Sequence, residues 1–171
     1  MAVVLVVETG EGLANSNSYL SLAEATLMAG NLQIELPAVE DDLKAKIIKA
    51  CVYLETKACK YQGKIKSLEQ ALSWPRTGVN FQGIALPDTA IPKNLKLAQF
   101  SVLNAILQGF EPNQNINVSE LVIEDKVDVL TTKFANPVDY GGITTILSEA
   151  DQFLKPLYFY CGGLGLRSYR A

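Results

Sequence analysis

Apolar positions in this chain recur mostly at helical spacing. Between Leu43 and Tyr61 they fall at Leu43, Ile47, Cys51, Leu54, Ala58 and Tyr61, in steps of four, four, three, four and three. That spacing puts one stripe on one face of an amphipathic helix. Glu40, Asp41 and Asp42 sit at its start, where acids favour the positive end of the helix dipole, and Gly63 marks a stop. Upstream, Ser21-Leu22-Ala23-Glu24 has the form of a capping box and opens a helix predicted to end near Gly30. Pro92 suits the first turn of a third helix running to about Gly109. Its Leu95, Leu97, Ala98, Phe100, Val102, Leu103, Ile106 and Leu107 cover much of the circumference, which predicts the most buried helix. A last helix is expected from near Thr144, with Ile146, Ala150, Phe153, Leu154 and Leu157 on one face, kinked or ended by Pro156.

Strand signals are fewer. The β-branched run Val3–Val7 predicts a short strand. Leu121-Val122-Ile123 and Val127-Asp128-Val129-Leu130-Thr131 flank Glu124-Asp125-Lys126, which predicts a hairpin within 118–134 and a short polar turn. Residues 64–90 read as irregular, interrupted by Trp74-Pro75-Arg76 and Pro87-Asp88. Asn136-Pro137 and Gly141-Gly142 read as a linker. The expected fold is therefore mainly α: a small helical bundle with a β-hairpin or extended loop and a flexible C-terminal tail. Residues 1–160 would form one helical domain and 161–171 a docking tail.

Composition narrows the chemistry. With 49% hydrophobic and 19% charged residues over 171 positions, the chain has ample material for a core. No stretch approaches the roughly 20 apolar residues that cross a bilayer. The opening Ala2–Val7 run lacks a basic region and is too short for a signal peptide, so the chain reads as soluble and of cytoplasmic origin, without a membrane partner. There is no histidine, which excludes Ser-His-Asp and Cys-His nucleophiles and imidazole-ligated zinc. Cys51, Cys59 and Cys161 lack metal-ligand spacing. On one helix Cys51 and Cys59 would lie roughly 12 Å apart, beyond the about 7 Å a disulfide allows, so they read as reduced core thiols. The expectation is a non-enzyme: no catalytic residue, no cofactor and no metal.

The net charge of −3 argues against a dedicated duplex-binding protein, but the charge is unevenly placed. Residues 1–37 hold four acids and no base, whereas Lys44 to Lys66 holds seven lysines against the single acid Glu55. At about 100° per residue Lys46, Lys49, Lys57 and Lys60 fall within roughly 80° of arc, an inter-subunit or DNA-facing candidate set against an ordinary solvated face. Aromatic residues among them are few, Tyr53 and Tyr61. Asp41-Asp42 and Glu124-Asp125 read as solvated pairs, and Gly162-Gly163-Leu164-Gly165 lacks the Lys-Ser/Thr of a phosphate loop. Trp74 and Arg76 read as a structural anchor. In the tail, Leu164, Leu166 and Tyr169 offer apolar anchors, and Arg167 and Arg170 offer donors for carboxylates, a pattern suited to docking on a partner.

Several segments together resemble a family of small tailed-bacteriophage neck proteins. They are Ala14–Ala25, the Leu-x-Trp-Pro-Arg element within Gln70–Arg76, the preceding Tyr61-Gln62-Gly63, Ile91-Pro92 opening a helix, and Leu154-Lys155-Pro156-Leu157 before a glycine-rich tail. The resemblance implies a head–tail connector, or adaptor, in the virion neck, assembled in the host cytoplasm. Copies would form a ring, commonly of twelve, between portal protein and a downstream neck or tail protein, with genomic DNA passing through and touched non-specifically. The tail residues 164–170 would then meet portal. Members of that family are also labelled DnaT-like single-stranded-DNA-binding proteins, which supplies the alternative function.

Overall fold

Helix α1 (Leu22–Leu32) starts where the capping box predicts. Ser21 accepts from the Glu24 N–H, and the Glu24 carboxylate accepts in return from the Ser21 N–H. It runs past Gly30 and ends at Gln33, which takes the left-handed conformation and returns its N–H to the Ala29 and Gly30 carbonyls. Helix α2 (Glu40–Glu55) buries Leu43, Ile47, Ala50, Cys51 and Leu54. Helix α3 (Lys93–Leu107) follows Pro92 and buries nine side chains, among them Leu95, Val102 and Leu103. Helices α2 and α3 lie against each other, and α1 packs on α2. Residues 147–154 are helical (α4) and pass into a 3-10 turn at Lys155–Leu157 containing Pro156. This computed structural model describes residues 2–112, 122–126, 131–134 and 147–159. The expected start of α4 at Thr144 and Ile146, the linker and the whole tail from Cys161 lie outside them.

The mainly α expectation does not hold; the chain is mixed α/β. Among the described residues three antiparallel strand pairs accompany the helices: β1 (Lys64–Ile65) with β2 (Arg76–Thr77), β3 (Asn80–Phe81) with β4 (Ile84–Ala85), and β5 (Val122–Lys126) with β6 (Thr131–Phe134). The first two pairs lie in the stretch that reads as irregular. Two-residue strands are too short to show an alternating pattern, and positive-φ glycines stand around them: Gly63 ahead of β1, Gly78 between β2 and β3, and Gly83 in the β3–β4 turn. In the third pair Glu124, Asp125 and Lys126 are strand residues opposite Lys133, Thr132 and Thr131, not the turn. The Val3–Val7 strand reduces to one parallel bridge between Val7 and Ser18. There the Asn17 side chain replaces a partner strand, accepting from Val6 N–H and donating to the Val4 carbonyl at 2.8 and 2.9 Å.

The core is sewn together by polar side chains as well as apolar contact. Gln99 of α3 is fully buried. Its Oε1 accepts from Tyr19 N–H at 3.1 Å, and its Nε2 donates to Ser18 Oγ and the Ile47 carbonyl at 2.8 and 3.0 Å. One amide thus ties the N-terminal segment, α2 and α3, leaving no polar atom of its own unpaired.

Candidate nucleic-acid interface

The Trp-Pro-Arg element lies inside the molecule. Trp74 is fully buried and meets Tyr61 edge-on at 5.9 Å between centroids, and the peptide to Pro75 is cis. Its backbone N–H donates to Tyr19 Oη at 3.1 Å, and the Tyr19 hydroxyl donates to Glu55 at 2.6 Å. Glu55 also accepts the Ser73 N–H and hydroxyl, at 2.8 and 2.6 Å. Arg76 directs its guanidinium at the carbonyls of Gln62, Gly63 and Ser73 at 2.6, 2.9 and 3.2 Å. Three motifs far apart in sequence, around Tyr19, Tyr61 and Trp74, thereby share one hydrogen-bonded centre. Burial, with Glu55 second, holds the Tyr19 phenol well above its ordinary range. This centre builds the fold and offers no surface to a ligand.

The four lysines do not all lie on α2. Helix α2 stops at Glu55, so Lys57 and Lys60 lie beyond it, Lys60 in a 3-10 turn (Ala58–Lys60) with the exposed Cys59. Cys59 is therefore not a core thiol, unlike the buried Cys51. Lys46 is paired with Asp42 at 2.6 Å, and Lys49 with Glu111. Both are neutralised locally. Lys57 and Lys60 are different: among the described residues neither has a carboxylate within 4.0 Å. Instead Lys57 Nζ lies 5.0 Å from the ring centre of Tyr53, and Lys60 Nζ 5.7 Å from that of Tyr158.

The C-terminal side of the chain supplies the second ring. Residues 156–159 are strapped along residues 60–62. Tyr61 bridges Tyr158, Gln62 N–H donates to the Leu157 carbonyl at 2.9 Å, and Phe159 N–H donates to the Lys60 carbonyl. The Gln62 side chain adds bonds to the Pro156 and Tyr158 carbonyls at 3.0 and 3.3 Å. Tyr158 stacks tilted on Tyr61 at 5.8 Å, Phe110 meets Tyr53 edge-on at 5.9 Å, and Phe159 is 71% exposed. Burial first, and Asp151 second, raise the Tyr158 phenol, so it stays neutral and donates to Asp151 Oδ1 at 3.2 Å. The surface carries cations set over rings and a further exposed ring, and charge and aromatic stacking are the two means by which single-stranded nucleic acid is bound in general. Among the described residues there is no group of three metal-ligating side chains.

A family model described as "Putative DnaT-like ssDNA binding protein" matches residues 3–171. The chain belongs to that family. It is the label that the phage resemblance carried as its alternative, and the match does not extend to a head–tail connector. No curated protein and no solved structure matches the chain. For a member of the DnaT-like family, Phe110, Tyr158 and Phe159 are the residues that reading along the sequence passes over. Phe110 follows α3 and the other two belong to the strap, where the run Tyr158-Phe159-Tyr160 is a local signal that marks them. The tail candidates Leu164, Leu166, Arg167, Tyr169 and Arg170 lie outside the described residues.

Proposed function

We propose that this protein is a non-catalytic single-stranded-DNA-binding protein that holds its strand on the surface of Tyr53, Lys57, Lys60, Tyr158 and Phe159. One observation carries the reading: two ammonium groups, each over a tyrosine ring and neither ion-paired among the described residues, beside an exposed phenylalanine. Family membership supports it. With few cations on a net acidic chain, binding is modest and strongly salt-dependent. Fluorescence anisotropy with a labelled oligothymidylate tests it. Each of Lys57→Gln and Lys60→Gln should make the slope of log affinity against log salt shallower by about 0.7. Phe159→Ala should weaken binding by about 1–3 kcal/mol, the value of one stacked base. Wild-type protein that binds no oligonucleotide even at low salt would overturn the proposal.

A second reading is favoured by the apolar side chains left in water: Leu68 is 93% exposed and Ile84 71%, and Leu27, Leu32 and Val39 are exposed as well. Scattered singly such residues are ordinary, but here they suit a subunit that buries them in an assembly. In that reading the protein is a ring-forming head–tail connector of the phage neck, meeting portal and a downstream neck or tail protein, and touching DNA only in passing. Sedimentation velocity decides between them. A closed ring whose oligonucleotide affinity is unaffected by Lys60→Gln supports the connector.

A further inference from the structure

Beside the stacking surface lies a cleft of about 270 Å³ that shares its Lys60 and Tyr158 and is otherwise lined by Ser148, Asp151, Gln152 and Lys155. Four of these residues come from one side of the chain at spacings of three, one and three, the pattern of a single helical face continued into the 3-10 turn. Lys60 and Tyr158 close the other wall. The groups divide by charge: two ammonium ions against one carboxylate, so the cleft is net positive. Asp151 already accepts the Tyr158 hydroxyl at 3.2 Å, while neither Lys60 nor Lys155 has a carboxylate within 4.0 Å among the described residues. Ser148 and Gln152 add neutral donors between them. Its volume falls just below the about 300 Å³ at which sites for whole small molecules begin. It has room for a phosphodiester group.

We infer that this cleft seats one backbone phosphate of the bound single strand, with Lys60 and Lys155 as its ammonium donors and Ser148 and Gln152 as hydrogen-bond donors. The inference rests on the single-strand reading above and adds Lys155, Ser148 and Gln152 to its site. It also fixes where the strand leaves the aromatic surface: over α4, not along α2, whose lysines are already paired.

The test is anisotropy with a labelled oligothymidylate carrying no terminal phosphate, and with the same oligonucleotide 5′-phosphorylated. Lys155→Gln should make the salt slope shallower by about 0.7, as for any lost lysine–phosphate contact to a single strand. Ser148→Asp, which puts a second carboxylate into the cleft, should weaken binding several-fold, and Lys93→Gln, an exposed lysine on α3, should change nothing. Equal losses with both oligonucleotides are expected of a backbone phosphate. A loss seen only with the 5′-phosphorylated strand overturns the inference in favour of a terminal-phosphate site. Normal binding by both cleft variants overturns the inference and leaves the single-strand reading standing. A wild-type protein that binds neither oligonucleotide removes both.

Discussion

Glu8 is 1% exposed, yet it belongs in the interior as a charge. Its carboxylate accepts the N–H groups of Gly10, Gly12 and Leu13, each at 2.9 Å, and the Ser16 hydroxyl at 3.0 Å, so it organises the whole turn that leads to the Tyr19 centre. Burial pushes its pKa up, but those four donors outweigh burial and hold it below the ordinary carboxylate value. Because the folded pKa is depressed, its contribution is complete above the ordinary carboxylate range and is lost as pH falls through the folded value. Glu8→Gln should therefore cost about 1–3 kcal/mol in urea unfolding at neutral pH. Its stability should also fall less steeply than wild type's when the same measurement is repeated in acid. A variant as stable as wild type would show that the turn does not depend on the carboxylate.

At the scale of elements, the turns between short strands decide what the chain can accept. Gly63 sits at φ +70° ahead of β1, and a Cβ there would lie 2.2 Å from the Thr77 carbonyl oxygen of β2. Gly78, at φ +71°, has open space around it. Gly78→Ala should cost about 1–2 kcal/mol, the penalty of left-handed backbone alone. Gly63→Ala should cost distinctly more, because the β1–β2 pair must also move; thermal unfolding of the two variants side by side measures the difference. Equal losses would mean that β1 and β2 separate freely. The same scale explains what was legible in the sequence. Apolar periodicity and the capping box mark α1 to α3, because those signals repeat over several turns. The end of α2 was not legible: the stripe continues through Ala58 and Tyr61, but they are placed by a 3-10 turn and a bridge. The candidate site suffered more, since the ion pairs that neutralise Lys46 and Lys49 and the rings beneath Lys57 and Lys60 include residues 50 or more positions away. Local patterning carries no trace of such partners.

For the molecule as a whole, the polar ties run between distant parts of the chain: Tyr19 to Gln99, Tyr19 to Glu55, Trp74 to Tyr19, and Gln62 to residues 156–158. These contacts join residues 36 to 96 positions apart, so folding is expected to be slower than for a helical bundle of this size. The strap has a consequence of its own. Both lysine–ring pairs border a segment held by few hydrogen bonds and ending at the exposed Phe159, while Leu157 within it is fully buried. Peeling it away would be a partial opening, cheaper than global unfolding, and it would dismantle one half of the proposed binding surface. Backbone amides at Gln62 and Phe159 should then exchange with deuterium faster than those of Val102 and Leu103 in α3, and an oligonucleotide should slow the first pair alone. Bound DNA would act as a latch whose strength is read in the exchange rate of two amides, so that the occupancy of the surface could be followed without labelling the DNA.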